Sequence, residues 1–219
     1  MYRGGVVRLV DRDYIIMSEI DRWRCVLGRQ IRLLTGFSGQ RACDRRLKVL
    51  IDAGYIERKR IIYGIPGLYF LTSKGKKILG TSSLKKESVK LEQIVHDIHV
   101  LDTVIFFMYK HNILLKDIQS EKELHKLDGF SNRNHRPDFI FKKDECTYCV
   151  EIELTLKAKS RFEKNVLKNF TNYDYQKWVI PNSRVSIKKR LDNQSLKYPN
   201  IEIIKLEEVD SYVKSLSDN

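Results

Sequence analysis

Residues 136–157, RPDFIFKKDECTYCVEIELTLK, constrain the fold most tightly. Two β-rich runs, PDFIF and TYCVEIELTLK, flank a charged segment. In the second run Glu151, Glu153, Thr155 and Lys157 alternate with Val150, Ile152, Leu154 and Leu156. Period-two alternation is the signature of a strand, so the spacing predicts a strand running as far as Lys157 with one polar face. If residues 139–150 form a hairpin, Asp138 is set beside Glu151, and Glu153 projects from the same face. A divalent cation needs two or three hard oxygen ligands converging on one point. Asp138, Glu151 and Glu153 are therefore candidate ligands for Mg²⁺ or Mn²⁺, which would orient a water and stabilise a phosphorane-like transition state. With Lys157, placed to offset charge on a scissile phosphate, they form the candidate catalytic set. The same alternation also describes an ordinary strand with one face in water.

The first third of the chain has a different character. Residues 1–80 carry 17 Lys/Arg against 7 Asp/Glu, while residues 81–219 carry 24 against 21. Most of the net charge of +13 is thus confined to one segment. A concentrated positive field points to a polyanion, most often nucleic acid.

Element order within that segment sharpens the expectation. Ile16, Ile20 and Trp23 share one side of a first helix, and Leu27, Ile31 and Leu34 one side of a second, which Gly36 ends. Ser38 is placed to cap a third helix. There Cys43, Leu47, Leu50 and Ile51 make an apolar stripe, while Arg41, Arg45 and Lys48 fall on another face at i, i+4, i+7. Gly54 closes it. Two β-rich runs around Gly64-Ile-Pro-Gly67 then read as a hairpin carrying Arg58, Lys59 and Arg60, and SKGKKIL opens a further helix. Helix, helix, turn, basic helix and basic hairpin is the order of a winged helix-turn-helix, and RRLKVLIDAGYIERKR…YFLTSKGKKIL resembles the bacterial winged-helix families. The resemblance implies that Arg41 and Arg45 reach base edges in the major groove of double-stranded DNA, with Lys48 beside them. Arg58, Lys59 and Arg60 would contact phosphate. Winged helices without DNA contacts also exist as protein-docking modules, and the local charge argues against that use here.

A polar stretch, GTSSLKKES at 80–88, reads as a linker between a domain at 1–80 and a second at 88–219. The second begins with a long helix whose apolar face holds Ile94, Ile98, Leu101 and Ile105. Strands and helices then alternate as αβββαβαβα. One of those helices turns Phe162, Val166 and Phe170 inward. Cys146 and Cys149 form a lone CxxC; an odd spacing on a strand separates the two thiols, so free thiols are expected rather than a zinc site.

Pro137-Asp138 followed by Glu151 resembles the PD-(D/E)XK nuclease superfamily, although Glu153 stands where its lysine is expected. A longer run, from HDIHVLDTVIF through RPDFIF to VEIELTLKAKSRFEKNVLKNFTNY, resembles the replication-relaxation family of plasmids and integrative elements. The matching residues are His96, Asp102, Pro137, Asp138, Glu151, Glu153, Lys157 and Arg161. The expected fold class is therefore α+β, a winged helix-turn-helix followed by an α/β PD-(D/E)XK nuclease-like domain. The resemblance implies a mobile-element protein acting on DNA in replication or conjugative transfer. Its expected partners are double-stranded DNA and replication or relaxosome proteins, with a homodimer as the candidate assembly. A non-enzymatic regulator or relaxosome accessory factor built on a degenerate nuclease fold is the alternative, and a protein–protein adaptor a third. No membrane span or signal peptide is read from the sequence, so a cytoplasmic location is expected.

Overall fold

The computed structural model describes residues 7–81, 90–128 and 135–218. The chain is mixed α and β and divides into two compact units, Met1–Leu101 with Leu216–Asn219, and Asp102–Ser215. The linker expected at 80–88 lies largely outside the described residues. The division found here falls later, within a helix, because the first half of that helix packs with the N-terminal unit.

In the N-terminal unit α1 (Asp11–Trp23) is followed by a two-residue strand β1 (Val26–Leu27), α2 (Gly28–Thr35) and α3 (Gln40–Asp52). The hairpin β2 (Ile56–Lys59) and β3 (Leu68–Leu71) follows, then α4 (Ser73–Ile78) and the start of α5 (Leu91–Lys110). β3 lies between β1 and β2, and both pairings are antiparallel. β1 carries no sequence signal, since two residues cannot display a period. The helices form where the apolar spacing predicts them: Ile16, Ile20, Trp23, Ile31, Leu34, Cys43, Leu47 and Leu50 are all buried. Ile51 is only half-buried. Ser38 does not cap α3. Gly39 occupies that position and offers no side-chain cap.

Gly54 ends α3 at φ 75, its N–H bonded to Ile51 O at 2.8 Å and the Tyr55 N–H to Leu50 O at 3.0 Å. This left-handed closure favours glycine because a Cβ there would crowd the backbone. The first half of α5 closes the unit: Ile94 and Ile98 pack on Cys25, Leu27 and Leu68. Gln30 Nε2 donates to Ile98 O at 3.0 Å and Arg24 pairs with the buried Asp97 at 3.0 Å.

The second unit is built on a five-stranded sheet of order β4-β5-β6-β7-β8. The strands are β4 (Ile118–Ser120), β5 (Phe139–Lys143), β6 (Cys146–Ile152), β7 (Tyr175–Ile180) and β8 (Ile201–Lys205). β4, β5 and β6 pair antiparallel, and β6, β7 and β8 pair parallel. α6 (Glu121–Asp128) follows β4, adding a helix the sequence pattern did not anticipate. α7 (Lys159–Asn172) and α8 (Val185–Ser195) make the two parallel crossovers, and α9 (Leu206–Asp218) closes the chain. β5 and β6 form the expected hairpin through Asp144 and Glu145, both at positive φ (48 and 63). Two such residues match the twist of the strands they join.

Both faces of this sheet are covered. Phe162 and Val166 of α7 and Ile187 and Leu191 of α8 pack on Trp178 and Ile180 of β7. Phe107 of α5 meets Phe141 and Phe139 of β5, with ring centroids 4.9 and 6.2 Å apart. Phe170 is 40% exposed and does not join the core; Asn165 and Asn169 are the buried polar residues of α7.

Candidate functional site

The N-terminal unit separates its cations by environment. Arg41, Arg45 and Lys48 are exposed along α3, and Arg58, Lys59 and Arg60 are exposed on and just after β2. Their partners are slight. Lys48 pairs with Asp52 at 3.4 Å where both are solvent-exposed, and Lys59 pairs with Glu57. Such exposed pairs contribute roughly 0–1 kcal/mol, so either lysine can exchange its partner for a phosphate at small cost. The Arg58 guanidinium lies 5.7 Å from the Tyr69 ring centroid. Arg46, next to Arg45, is spent internally. Its Nε donates to Asp13 Oδ1 at 2.6 Å and its Nη2 to Asp13 Oδ2, and Asp13 is fully buried. Val10 N also donates to Asp13 Oδ2, at 2.8 Å. Arg46 therefore ties α3 to the start of α1, and this pairing raises its already high pKa against the opposing effect of burial.

In the second unit the four residues expected to form a site lie at one end of the sheet, around the carboxyl end of β6. Open sheets with parallel strands commonly bind ligands at that end. The strand does not continue to Lys157: β6 stops at Ile152, and residues 153–158 run without regular structure into α7. The expected polar face is also not wet, since Glu151 and Glu153 are only 3% and 2% exposed while Leu156 is 46% exposed. A sheet covered on both faces removes the distinction between a dry and a wet side, and the alternation then orders neighbours rather than solvent.

Each carboxylate has its own support, Glu151 and Glu153 buried and Asp138 half-buried. Asp138 sits just before β5; its N–H donates to Val150 O at 3.1 Å, and its Oδ2 accepts the Ile152 N–H at 2.7 Å. Glu151 Oε1 lies 2.6 Å from His135 Nε2 and accepts from Asn169 Nδ2 at 3.0 Å. Glu153 is anchored through its N–H to Val179 O at 3.0 Å and pairs with Lys157 Nζ at 2.6 Å. Arg190 of α8 donates to Lys157 O at 2.7 Å and pins the same segment.

Electrostatics link the four residues. Burial raises the pKa of Glu153, Lys157 draws it back, and Glu151 and Asp138 push it up again, leaving it raised. Burial opposes the charge of Lys157, but Glu151, Glu153 and Asp138 together outweigh it, and its pKa is raised. Lys157 thus pairs with Glu153 and also feels the charges of Glu151 and Asp138. The hard oxygen donors of the three carboxylates suit Mg²⁺ or Mn²⁺ in kind, although the three do not bring one oxygen each within 4.8 Å of one another.

His135, Asn169 and Arg190 were missed by sequence reasoning. A histidine three residues before Asp138, and polar residues where an amphipathic helix should be apolar, were the available signals. Of the other residues in the longer resemblance, Asp102 is buried, His96 half-buried and Arg161 exposed. Cys25, Cys43, Cys146 and Cys149 are free thiols, and Cys149 is fully buried while Cys146 is half-buried. No protein-family model and no curated protein matches the chain.

Proposed function

We propose that the chain is a DNA-binding protein of a plasmid or integrative mobile element, acting in replication or conjugative transfer. The N-terminal unit serves as a winged helix, with α3 in the major groove and the β2–β3 hairpin along the backbone. The observation that carries this reading is the exposure of all six expected contact residues, Arg41, Arg45, Lys48, Arg58, Lys59 and Arg60, beside an Arg46 that is committed to Asp13. The resemblance to the replication-relaxation family supports the mobile-element setting. The test is equilibrium binding to duplex DNA across a salt series. Affinity should fall steeply with salt as phosphate contacts displace counterions. Salt-independent binding, or none at low salt, would remove the reading.

The second unit is read as a PD-(D/E)XK-like nuclease domain. Its support is the electrostatic coupling of Lys157 to Asp138, Glu151 and Glu153 at the carboxyl end of β6. To hold Mg²⁺ or Mn²⁺, Asp138, Glu151 and Glu153 would have to draw closer together than they stand here, and the ion would then supply Lewis-acid stabilisation of a phosphodiester and a more acidic water. Lys157, released from Glu153, would face the phosphate. A second reading, the non-enzymatic regulator or relaxosome accessory factor, is favoured by the buried Glu153–Lys157 pair, which already supplies a cation to the cluster. Calorimetric titration with Mn²⁺ and nicking of supercoiled plasmid separate the two. On the nuclease reading the wild type binds the ion and nicks, while Asp138→Ala and Glu151→Ala do neither. An absence of binding by the wild type selects the regulator.

A further inference from the structure

The loop joining β2 to β3 presents one aromatic ring entirely to solvent. Tyr63 is 104% exposed, the most open of the large hydrophobic side chains among the described residues. Its neighbours are not loose. Ile62 and Ile65 both pack against the cluster of Cys25, Leu27, Leu68, Ile94 and Ile98. The Ile65 N–H bonds to Ile62 O at 3.3 Å, and Gly64 takes φ 78. The chain is therefore clamped on either side of the tip, and the turn between the clamps pushes Tyr63 outward. Arg58, Lys59 and Arg60 stand exposed just before this loop, with Ile61 41% exposed between them and the clamp.

A fully solvated aromatic ring gains nothing for folding. Leaving it exposed forgoes the stabilisation that burial gives such a side chain. On a turn anchored at both sides, three residues after the exposed run Arg58-Lys59-Arg60, it has the composition of a nucleic-acid stacking platform, a π-face close in sequence to charges that can track phosphate. Stacking needs the face of a base. An uninterrupted duplex shows only base edges, and opening a step to admit a ring costs as much as or more than stacking returns. Base–aromatic stacking is worth roughly 5- to 150-fold in affinity per base. One tyrosine therefore does not open a closed step unaided, but it can discriminate a step that is already open.

We infer that Tyr63 is a stacking residue for an unpaired base, and that the protein prefers DNA carrying a junction between duplex and single strand over uninterrupted duplex. The proposal rests on the reading of this unit as a duplex-binding module and adds the class of DNA structure it selects. The cations that precede the loop hold the duplex arm, while the ring covers the first exposed base beyond it.

The test uses the full chain and two DNAs of the same duplex sequence, one blunt with both ends sealed by short non-nucleotide linkers and one extended by a single-stranded arm. Fluorescence anisotropy should give tighter binding to the junction by about tenfold, within the range that one stacked base provides. Tyr63→Ala should lose that preference while keeping its affinity for the blunt duplex within about twofold, and Tyr63→Phe should retain it. In Tyr63→Trp, tryptophan emission should be quenched by the junction and not by the blunt duplex. The side chain lies in solvent, so these variants fold, and circular dichroism checks it. Equal preference in the wild type and Tyr63→Ala, or unchanged emission from Tyr63→Trp on the junction, overturns the inference and leaves duplex binding intact. Failure of the wild type to bind either DNA overturns the duplex-binding reading and this inference with it.

Discussion

Removing the ammonium of Lys157 is the sharpest test of the carboxylate cluster. In Lys157→Met the side chain keeps its length and loses its charge. Glu153, 2% exposed, is then buried without its counter-ion. At 2.6 Å and an effective dielectric of about 20 the gross attraction of the pair is on the order of 6 kcal/mol. Most of that offsets the desolvation of the two groups, and breaking one side of a buried pair costs about 3–5 kcal/mol. The Lys157 side chain is 28% exposed, which places the expected loss near the lower end, about 3 kcal/mol at pH 8.

The loss should depend on pH in a defined direction. The Glu153 pKa is already raised in the folded protein, and Lys157 is the influence that draws it down. Without Lys157 it rises further, so the folded variant takes up a proton before the unfolded chain does. Where the folded state binds more protons, stability falls as pH rises. The penalty should therefore shrink as pH is lowered through the raised pKa, because a neutral carboxyl needs no counter-ion. The Lys157 contribution itself is complete below its unfolded pKa and is lost as pH climbs through its raised folded value. Urea unfolding at pH 5 and pH 8, followed by circular dichroism and tryptophan emission, measures this. The double variant Glu153→Gln/Lys157→Met should recover most of the loss. A penalty under about 1 kcal/mol, independent of pH and not relieved in the double variant, would mean that the pair behaves as a solvent-screened surface contact.

Other outcomes follow from the two arginine environments and from the thiols. Arg41→Ala and Arg45→Ala should each weaken binding to the preferred DNA site by about 1–3 kcal/mol, measured by anisotropy, if they read base edges. Arg58→Ala, Lys59→Ala and Arg60→Ala should weaken binding to all sequences alike and reduce the salt slope by about one each. Arg46→Ala should leave Asp13 buried and without its guanidinium, lowering the melting stability by about 3–5 kcal/mol; a stable variant that had lost only DNA affinity would contradict that role. Burial pushes the thiols of Cys25 and Cys43 up to about 12 and that of Cys149 well above the usual range. At pH 8 a disulfide reagent should therefore modify one cysteine of the native protein, Cys146, and all four after unfolding.

Local sequence determined the elements whose signals are local. Helical spacing at Ile16, Ile20 and Trp23, and at Cys43, Leu47 and Leu50, needs only neighbours one turn away, and these residues are buried as expected. Gly36 and Gly54 end their helices because both adopt positive φ, a preference carried by the residue itself. The two β-rich runs of β5 and β6 were legible for the same reason, and their pairing as a hairpin was a condition that the structure meets. What the sequence left undecided depends on distant residues. Whether the polar face of β6 meets water is settled by α7 and α8, which cover the sheet; Glu151 is buried against Asn169, 18 residues on. Arg45 and Arg46 are alike in sequence, and a buried Asp13, 33 residues upstream, makes one structural and leaves the other exposed. Phe170 and Asn169 differ by one helical step of about 100°, and that angle, set by how α7 lies on β7, turned the asparagine inward. Lys157 reaches Glu153 because the strand ends at Ile152 and the chain turns back, with Arg190 holding Lys157 O from α8. Periodicity reports which side of an element a residue takes; only packing reports what lies on that side.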